Sequence, residues 1–545
     1  MKAIRGTQYQ VSEWGMASAT SRRDPFNEIE QDVVFTSDAG QTWKVPAYWA
    51  GGAEWRIRFS PPQPGRYRFE SVCSDASDAG LHGLTGTLDA GPSDGPNPLL
   101  RHGPPRVSAN RRHFEHADGT PFFWLGDTWW MGLTRRLSWP DGFQTLAADR
   151  TAKGFTVVQI VAGLYPDMPA FDERGANEAG FPWERDYARI NPAYFDMADL
   201  RIQWLVRSGL VPCIVGCWGY FLPWMGVEKM KKHWRNLVAR WGAYPVAWCL
   251  AGEGVMPYYL SEEKEKEAEF QKRGWTELGR YVRAIDAYHH PVTIHPGSSA
   301  RDTVEDQGVL DFDMLQTGHG DRQSLPSTVN LVRSGYERAP RMPVVNGEVC
   351  YEGIGESCRQ EVQRLMFWTC LLSGACGHTY GANGIWQLNT RARPYGPSPH
   401  GMAWGNTPWE DAYRLPGPAQ LGLAKRLLSR YAWWKFEPHP EWIEPRWSEQ
   451  NYYGGYATGI PGSVRVIYLP TFVWGPVTVR GLEPGVTYRA FLFNPATGEE
   501  LSLGNAHANA EGAWLVQRKE LPTDPFILPL FQDWALVLET AGARL

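Results

Sequence analysis

Two short stretches of this chain each end in a single carboxylate framed by glycine. In Pro245-Val-Ala-Trp-Cys-Leu-Ala-Gly-Glu-Gly254 an apolar run leads into Glu253, and in Pro343-Val-Val-Asn-Gly-Glu348 a shorter one leads into Glu348. Apolar runs of this length bounded by Pro or Gly read as buried strands, which places each acid at a strand tip. When parallel strands close into a barrel, tips at the same end face one another across a cleft. A pair of carboxylates there is what cleavage of a glycosidic bond needs: one protonates the leaving oxygen, the other attacks the anomeric carbon. Glu352, four residues past Glu348, is the rival for the second role and reads as a residue that orients a neighbour or faces solvent.

The elements that would position these acids can be read from the rhythm of the chain. Residues 1–105 alternate short apolar runs with Gly, Pro and Asp turns, as in Gln31–Thr36, Thr42–Trp49, Glu54–Phe59 and Arg66–Val72, the pattern of a β-sandwich. A Gly/Pro-rich run over 91–105 then marks a linker. From 106 to 435 the rhythm becomes strand, loop, helix, with candidate strands at 121–125, 156–160, 211–215, 246–250, 291–294, 313–316, 343–345 and 377–380. Eight strands alternating with helices predict a (β/α)8 barrel, an α/β fold, with Glu253 after the fourth strand and Glu348 after the seventh. Residues 436–545 return to alternating strands and predict a second, C-terminal β-sandwich.

Composition narrows the partners. The chain has 545 residues, 43% hydrophobic content and a net charge of −5, a mild and mixed balance that points to neither nucleic acid nor an anionic membrane. Its 27 Trp, 23 Tyr and 22 Phe suit a protein that stacks flat rings on sugar C–H faces, although most such rings fill cores. No stretch reaches transmembrane length, the N-terminus lacks a secretory apolar segment, and the 8 Cys lie singly in apolar surroundings, so reduced thiols and a cytoplasmic location are expected. The sequence has no zinc spacing, phosphate loop, dinucleotide fingerprint or serine-nucleophile elbow, and neither metal nor cofactor is called for. The oligomeric state is left open.

The stretch Asp118-Gly-Thr-Pro followed by Phe122-Phe-Trp-Leu-Gly-Asp-Thr-Trp-Trp130 resembles the opening signature of the apiosidase-like glycoside hydrolase family, and Val345-Asn-Gly-Glu-Val-Cys-Tyr-Glu-Gly353 resembles its nucleophile strand. The two flanking β-regions match the position of the domains that accompany such barrels. At the fourth strand the chain departs from the family pattern, with Ala251-Gly-Glu253 where Gly-Gly-Asp is frequent. The resemblance implies a retaining glycosidase with Glu253 as acid/base and Glu348 as nucleophile, acting on a furanoside of the apiose or arabinofuranose type.

Further residues at or near strand ends are candidate substrate contacts: Asp127, Trp129, Gln159, Trp218, Gln316, His319, Tyr380 and Trp386, with His295 and His378 equally open to structural roles. The insertion from Gly163 to Asn191 is long enough to fold over one end of a groove, and its Trp183 or a neighbouring ring is expected to touch the bound sugar. The expected partner is thus an oligosaccharide or glycoside cut from its chain end. Two other readings stay open, a barrel glycosidase acting on a pyranoside and a carbohydrate-binding protein without catalysis.

Overall fold

Eight short strands form one parallel sheet at the centre of the chain: β1 (Trp124–Thr128), β2 (Val157–Val161), β3 (Val211–Val215), β4 (Ala247–Cys249), β5 (Val292–Thr293), β6 (Asp313–Gln316), β7 (Val344–Glu348) and β8 (Gly377–Tyr380). Their spatial order is β5-β4-β3-β2-β1-β8-β7-β6. No ladder joins β5 to β6. There the barrel is closed by single bonds, Asp311 N to the Val292 carbonyl at 2.8 Å and Thr293 Oγ1 to the Phe312 carbonyl at 3.0 Å. β2 and β3 are buried along their whole length, which is why they read as unbroken apolar runs rather than alternating ones.

The computed structural model describes residues 2–471, 473, 476–516 and 531–545; the stretch 517–530, inside the expected third region, lies outside the described residues. Helices α1 (Asp141–Ala152), α2 (Pro192–Arg207), α3 (Phe221–Trp241), α4 (Lys264–Ile285), α5 (Leu325–Glu337), α6 (Gln360–Leu372) and α7 (Gly417–Leu428) accompany the barrel. Between β5 and β6 the chain makes only short 3-10 turns.

The first barrel strand lies three residues later than its apolar run suggests. Pro121–Phe122 pairs instead with Phe114–His116, which in turn pairs with Pro105–Val107, in a small antiparallel sheet ahead of the barrel. β1 starts at Trp124 because Gly377, its partner on β8, leaves room for the indole: a Cβ on Gly377 would sit 2.6 Å from that of Trp124. This shift moves Asp127 from a strand tip into the strand.

Two antiparallel sheets precede the barrel, five strands in the order Lys2–Thr7, Thr85–Gly91, Gly65–Cys73, Gln31–Ser37, Thr42–Pro46, and three in the order Ser12–Ala17, Glu54–Phe59, Tyr48–Gly51. The run 42–49 breaks at Ala47, where the chain crosses from one sheet to the other. Trp14, Phe35, Phe59 and Phe69 fill the space between, with Phe35 and Phe59 stacked at 3.8 Å. After the barrel a six-stranded and a three-stranded sheet enclose Trp442, Ile467, Leu492 and Leu536. That region docks on α6, where Trp368 stacks on Tyr468 and Arg364 pairs with Asp533 at 2.6 Å.

The N-terminal sandwich is joined to the barrel through a buried cation. Arg58, 3% exposed, donates to Asp199 Oδ2 of α2 at 2.6 Å, to Glu13 Oε2 at 2.6 Å and to the Arg240 carbonyl of α3 at 2.7 Å. Asp199 also accepts from Arg240 and from the Trp241 indole. Removing Arg58 takes away one of the two guanidiniums that compensate the buried Asp199, and breaking a buried pair costs up to about 3–5 kcal/mol. Arg58→Ala is therefore expected to lower the urea midpoint by an amount corresponding to that loss, whereas Arg66→Ala, at an exposed pair with Asp89, leaves it nearly unchanged. Equal midpoints for the two variants would refute this account of the junction.

Candidate active site

Glu348 owes its position to a bulge. Leu315 on β6 opposes Asn346 on β7, but the next residue, Gln316, opposes Glu348, so Gly347 is an extra residue on β7. An inserted residue bends a strand and re-aims the side chains beyond it. Only glycine fits at the bulge, since a Cβ at 347 would lie 2.5 Å from Met314 Cγ. The turned Glu348 carboxylate is held on all sides: His319 Nε2 at 2.7 Å and Gln316 Nε2 at 3.0 Å on Oε1, and the Tyr351 hydroxyl and His295 Nε2, the latter at 3.1 Å, on Oε2. Burial alone would raise its pKa, but the two histidines outweigh burial and hold this carboxyl well below the usual range.

Glu253 reaches the same cleft from beyond β4. Gly252 pairs with Trp218 and Gly254 N bonds the His295 carbonyl, so the acid is carried on a tight loop, with Glu253 itself at φ 43°. That left-handed conformation costs a non-glycine residue roughly 1–3 kcal/mol and is typical of functional sites. Gly252 permits it: a Cβ there would lie 2.2 Å from the Trp218 ring. Glu253 Oε2 accepts from Trp218 Nε1 at 3.3 Å and Oε1 from Gln316 Nε2 at 3.3 Å. Burial, and then the charge of Glu348, push its pKa up to about 7. The two carboxyls are thus driven apart, one ionised and one protonated near neutrality, which is the division an acid and a nucleophile need.

The cleft has a volume of about 270 Å³, near the small-ligand end of the roughly 300–1,000 Å³ usual for such sites. The structure brings Glu253, Glu348, Gln316, His319, Trp218 and Trp386 together on its walls. Trp130, Asp167, Tyr259, Tyr351, His400 and Trp404 join them, none of which was singled out from the sequence. Tyr351 was within reach, three residues past Glu348, and so was Trp130. Side chains alternate along a strand, and the parity that turns Asp127 and Trp129 away from the cleft turns Trp130 into it.

Five expected contacts, Asp127, Trp129, Gln159, Tyr380 and Trp183, lie elsewhere. Asp127 is fully buried, paired with Arg150 of α1 at 2.6 Å and bonded by Trp129 Nε1 at 2.7 Å, so both residues tie β1 to its helix instead of meeting sugar. Gln159 fills the barrel interior, donating to the Gly347 carbonyl at 3.0 Å beneath the bulge. Tyr380 donates to Glu352 Oε2 at 2.6 Å, and Glu352, also bonded by Gly417 N, is a buried link to α7 with its pKa raised to about 7, chiefly by burial. His378 packs on Phe367 of α6. The insertion after β2 divides in two. Pro166 and Asp167 line the cleft, but Trp183 is 2% exposed, set edge-on to Phe26 of the N-terminal region at 5.7 Å and 3.3 Å from His233 Nδ1. Its ring covers the sandwich and does not reach the cleft.

Among the described residues no cluster of three or more His, Cys, Asp or Glu is placed to hold a metal ion, and no helix is long and apolar enough to cross a membrane. All eight cysteines are buried free thiols.

The family model of the apiosidase-like catalytic domain matches residues 108–435. The chain belongs to the apiosidase-like family. It is a glycoside hydrolase, and residues 5–74 match a separate domain of unknown function. Solved structures with the same architecture include a glycoside hydrolase (23% identity, 81% of this chain and 97% of the other, TM-score 0.66) and a family 5 glycoside hydrolase from Bacteroides vulgatus (22%, 82% and 94%, TM-score 0.66). A putative glycoside hydrolase from the same organism aligns over 98% of this chain and 100% of its own at 16% identity and TM-score 0.70. At these identities the likeness is one of fold. No curated protein sequence matches the chain.

His319 reports on this geometry. Burial opposes its charging, but the bond to Glu348 outweighs that and raises its pKa. In Glu348→Gln the charged partner is gone, so the ring's pKa, followed by NMR of labelled imidazole, falls. An unchanged titration would mean that the His319–Glu348 contact is absent in solution.

Proposed function

We propose that the apiosidase-like chain is a retaining, exo-acting glycosidase that releases terminal furanose residues, of the apiose or arabinofuranose type, from plant or microbial glycans. The observation that carries the mechanism is the Gln316 amide, which bonds Oε1 of both carboxylates. Through that shared donor the two Oε1 atoms lie within about 6.3 Å of each other, a closeness compatible with double displacement. Glu348, ionised and held by His319, His295 and Tyr351, attacks the anomeric carbon. Glu253, protonated near neutral pH, gives its proton to the leaving oxygen, and the resulting carboxylate then takes a proton from the water that frees the sugar. The furanose preference is supported by family membership, and the exo mode by the loop residues Asp167, Tyr259 and His400, which narrow the cleft from beyond β2, β4 and β8.

A panel of nitrophenyl furanosides and pyranosides tests the substrate. On the best of them, Glu348→Ala is expected to remove nearly all turnover. Glu253→Ala keeps measurable glycosylation only with leaving groups that need no proton, and azide restores part of its second step. Similar residual rates for both variants across all leaving groups would show the roles to be misassigned.

The pH profile carries its own sign. A carboxyl raised to about 7 stays protonated below that pH, so kcat/KM on a glycoside with a poor leaving group holds in mildly acidic solution and declines as pH rises through about 7. With a dinitrophenyl leaving group that decline flattens. A basic limb near 5, or one indifferent to the leaving group, would assign it to some other residue.

A further inference from the structure

Asp167 is a carboxylate in the cleft that the mechanism above does not use. It is 8% exposed, and Oδ1 accepts one hydrogen bond, from the Tyr259 hydroxyl at 2.7 Å. Among the described residues no other donor bonds it. Its backbone sits at φ 55°, in the left-handed region, near the start of the insertion after β2. Tyr259 comes from a different loop, beyond β4, and its ring is stacked on His400, from the loop beyond β8, at 4.7 Å and an interplanar angle of 9°. Three loops thus converge to hold one acid over the pocket.

A carboxyl group offers up to about four hydrogen-bonding sites, and this one, its pKa raised chiefly by burial, fills only one of them and leaves the rest for a ligand. A structural role would not need a charge here, because an amide oxygen would accept the Tyr259 hydroxyl equally well. What the cleft supplies when occupied is sugar, whose adjacent hydroxyls are paired O–H donors matched to the two oxygens of one carboxylate. The walls agree with an uncharged ring. Trp130, Trp218, Trp386 and Trp404 offer flat faces, and the indole N–H groups of Trp386 and Trp404 have no acceptor among the described residues. Three carboxylates, Asp167, Glu253 and Glu348, line the cavity together with His319 and His400, and among the described lining residues there is no Lys or Arg to receive a sugar carboxylate. A uronic acid would bring a further negative charge beside the ionised Glu348 with no guanidinium or ammonium to meet it.

We propose that Asp167 anchors the terminal sugar by accepting hydrogen bonds from two adjacent hydroxyls, that Tyr259 positions it, and that the cleft selects an uncharged glycone over a uronate. This rests on the glycosidase reading and adds the substrate class to it. Asp167→Asn, Asp167→Ala and Tyr259→Phe are to be compared with wild type on the best nitrophenyl glycoside of the panel, on its two monodeoxy analogues at adjacent positions and on nitrophenyl glucuronide and galacturonide. A charge-assisted hydrogen bond lost to each hydroxyl corresponds to roughly 10- to 100-fold. The expected result is a loss of that size in kcat/KM for each deoxy analogue with wild type and almost none with Asp167→Ala. The Asp167 variants should raise KM on the parent glycoside, Tyr259→Phe should raise it less, and uronides should be poor substrates throughout. Deoxy losses equal in wild type and Asp167→Asn, or a preference for uronides, would overturn the anchor while leaving the glycosidase reading intact.

Binding is measured independently of turnover, by calorimetric titration of Glu348→Gln and Glu348→Gln/Asp167→Asn with free apiose, arabinose and glucose. Saturable binding lost in the double variant supports the anchor even if every glycoside in the panel proves inert, a result that would count against the proposed reaction alone. Binding unchanged by the second substitution, or no binding of any neutral sugar, overturns it.

Discussion

One side-chain amide holds the two carboxylates of the cleft in register. Gln316 ends β6, and its Nε2 faces the carboxylate at the end of β7 and the one carried beyond β4. Two acids in a small dry space repel, and left alone would move apart or share a proton unpredictably. A single donor between them compensates part of that repulsion and fixes which oxygen of each points where. The bulge at Gly347 exists in the same frame: in an unbroken register Gln316 would pair with Gly347 and the acid would point to the same side as Asn346.

The remaining charges are set by this arrangement. Glu348 is surrounded by donors and stays ionised, while Glu253 has weaker contacts and a charged neighbour and retains its proton. The environment, not the residue type, distinguishes two chemically identical groups. Part of the cost is carried by the backbone: Gly252 and Gly254 flank Glu253, which is held in a left-handed conformation, as is Asp167 across the cleft.

Much of this was legible in the chain. Continuous apolar runs with glycine at their ends announced the parallel strands and the two acids, because a strand buried on both faces leaves little room for anything else in its sequence. Positions resting on parity were harder. Successive side chains leave a strand on opposite sides, so Asp127 and Trp129 face Arg150 and Phe143 while Trp130 faces the cleft, and the sequence does not say which side is which. Contacts made by loops were not readable at all: nothing local to Asp167, Tyr259 or His400 marks them as neighbours, since their meeting depends on how three separate excursions return to the same place. Trp183 misled for the related reason that a tryptophan in a long loop looks the same whether it faces a sugar or another domain.

The buried Arg58 has a consequence for how such a chain is inherited. Its guanidinium belongs to the sandwich, yet its partners Asp199 and the Arg240 carbonyl belong to two barrel helices. Cutting the chain at the Gly/Pro-rich linker would leave Asp199 with Arg240 and Trp241 alone and open to water a site built around two guanidiniums. The linker therefore joins two parts that share a buried charge network, and exchanging the leading sandwich removes one of the cations on which Asp199 rests.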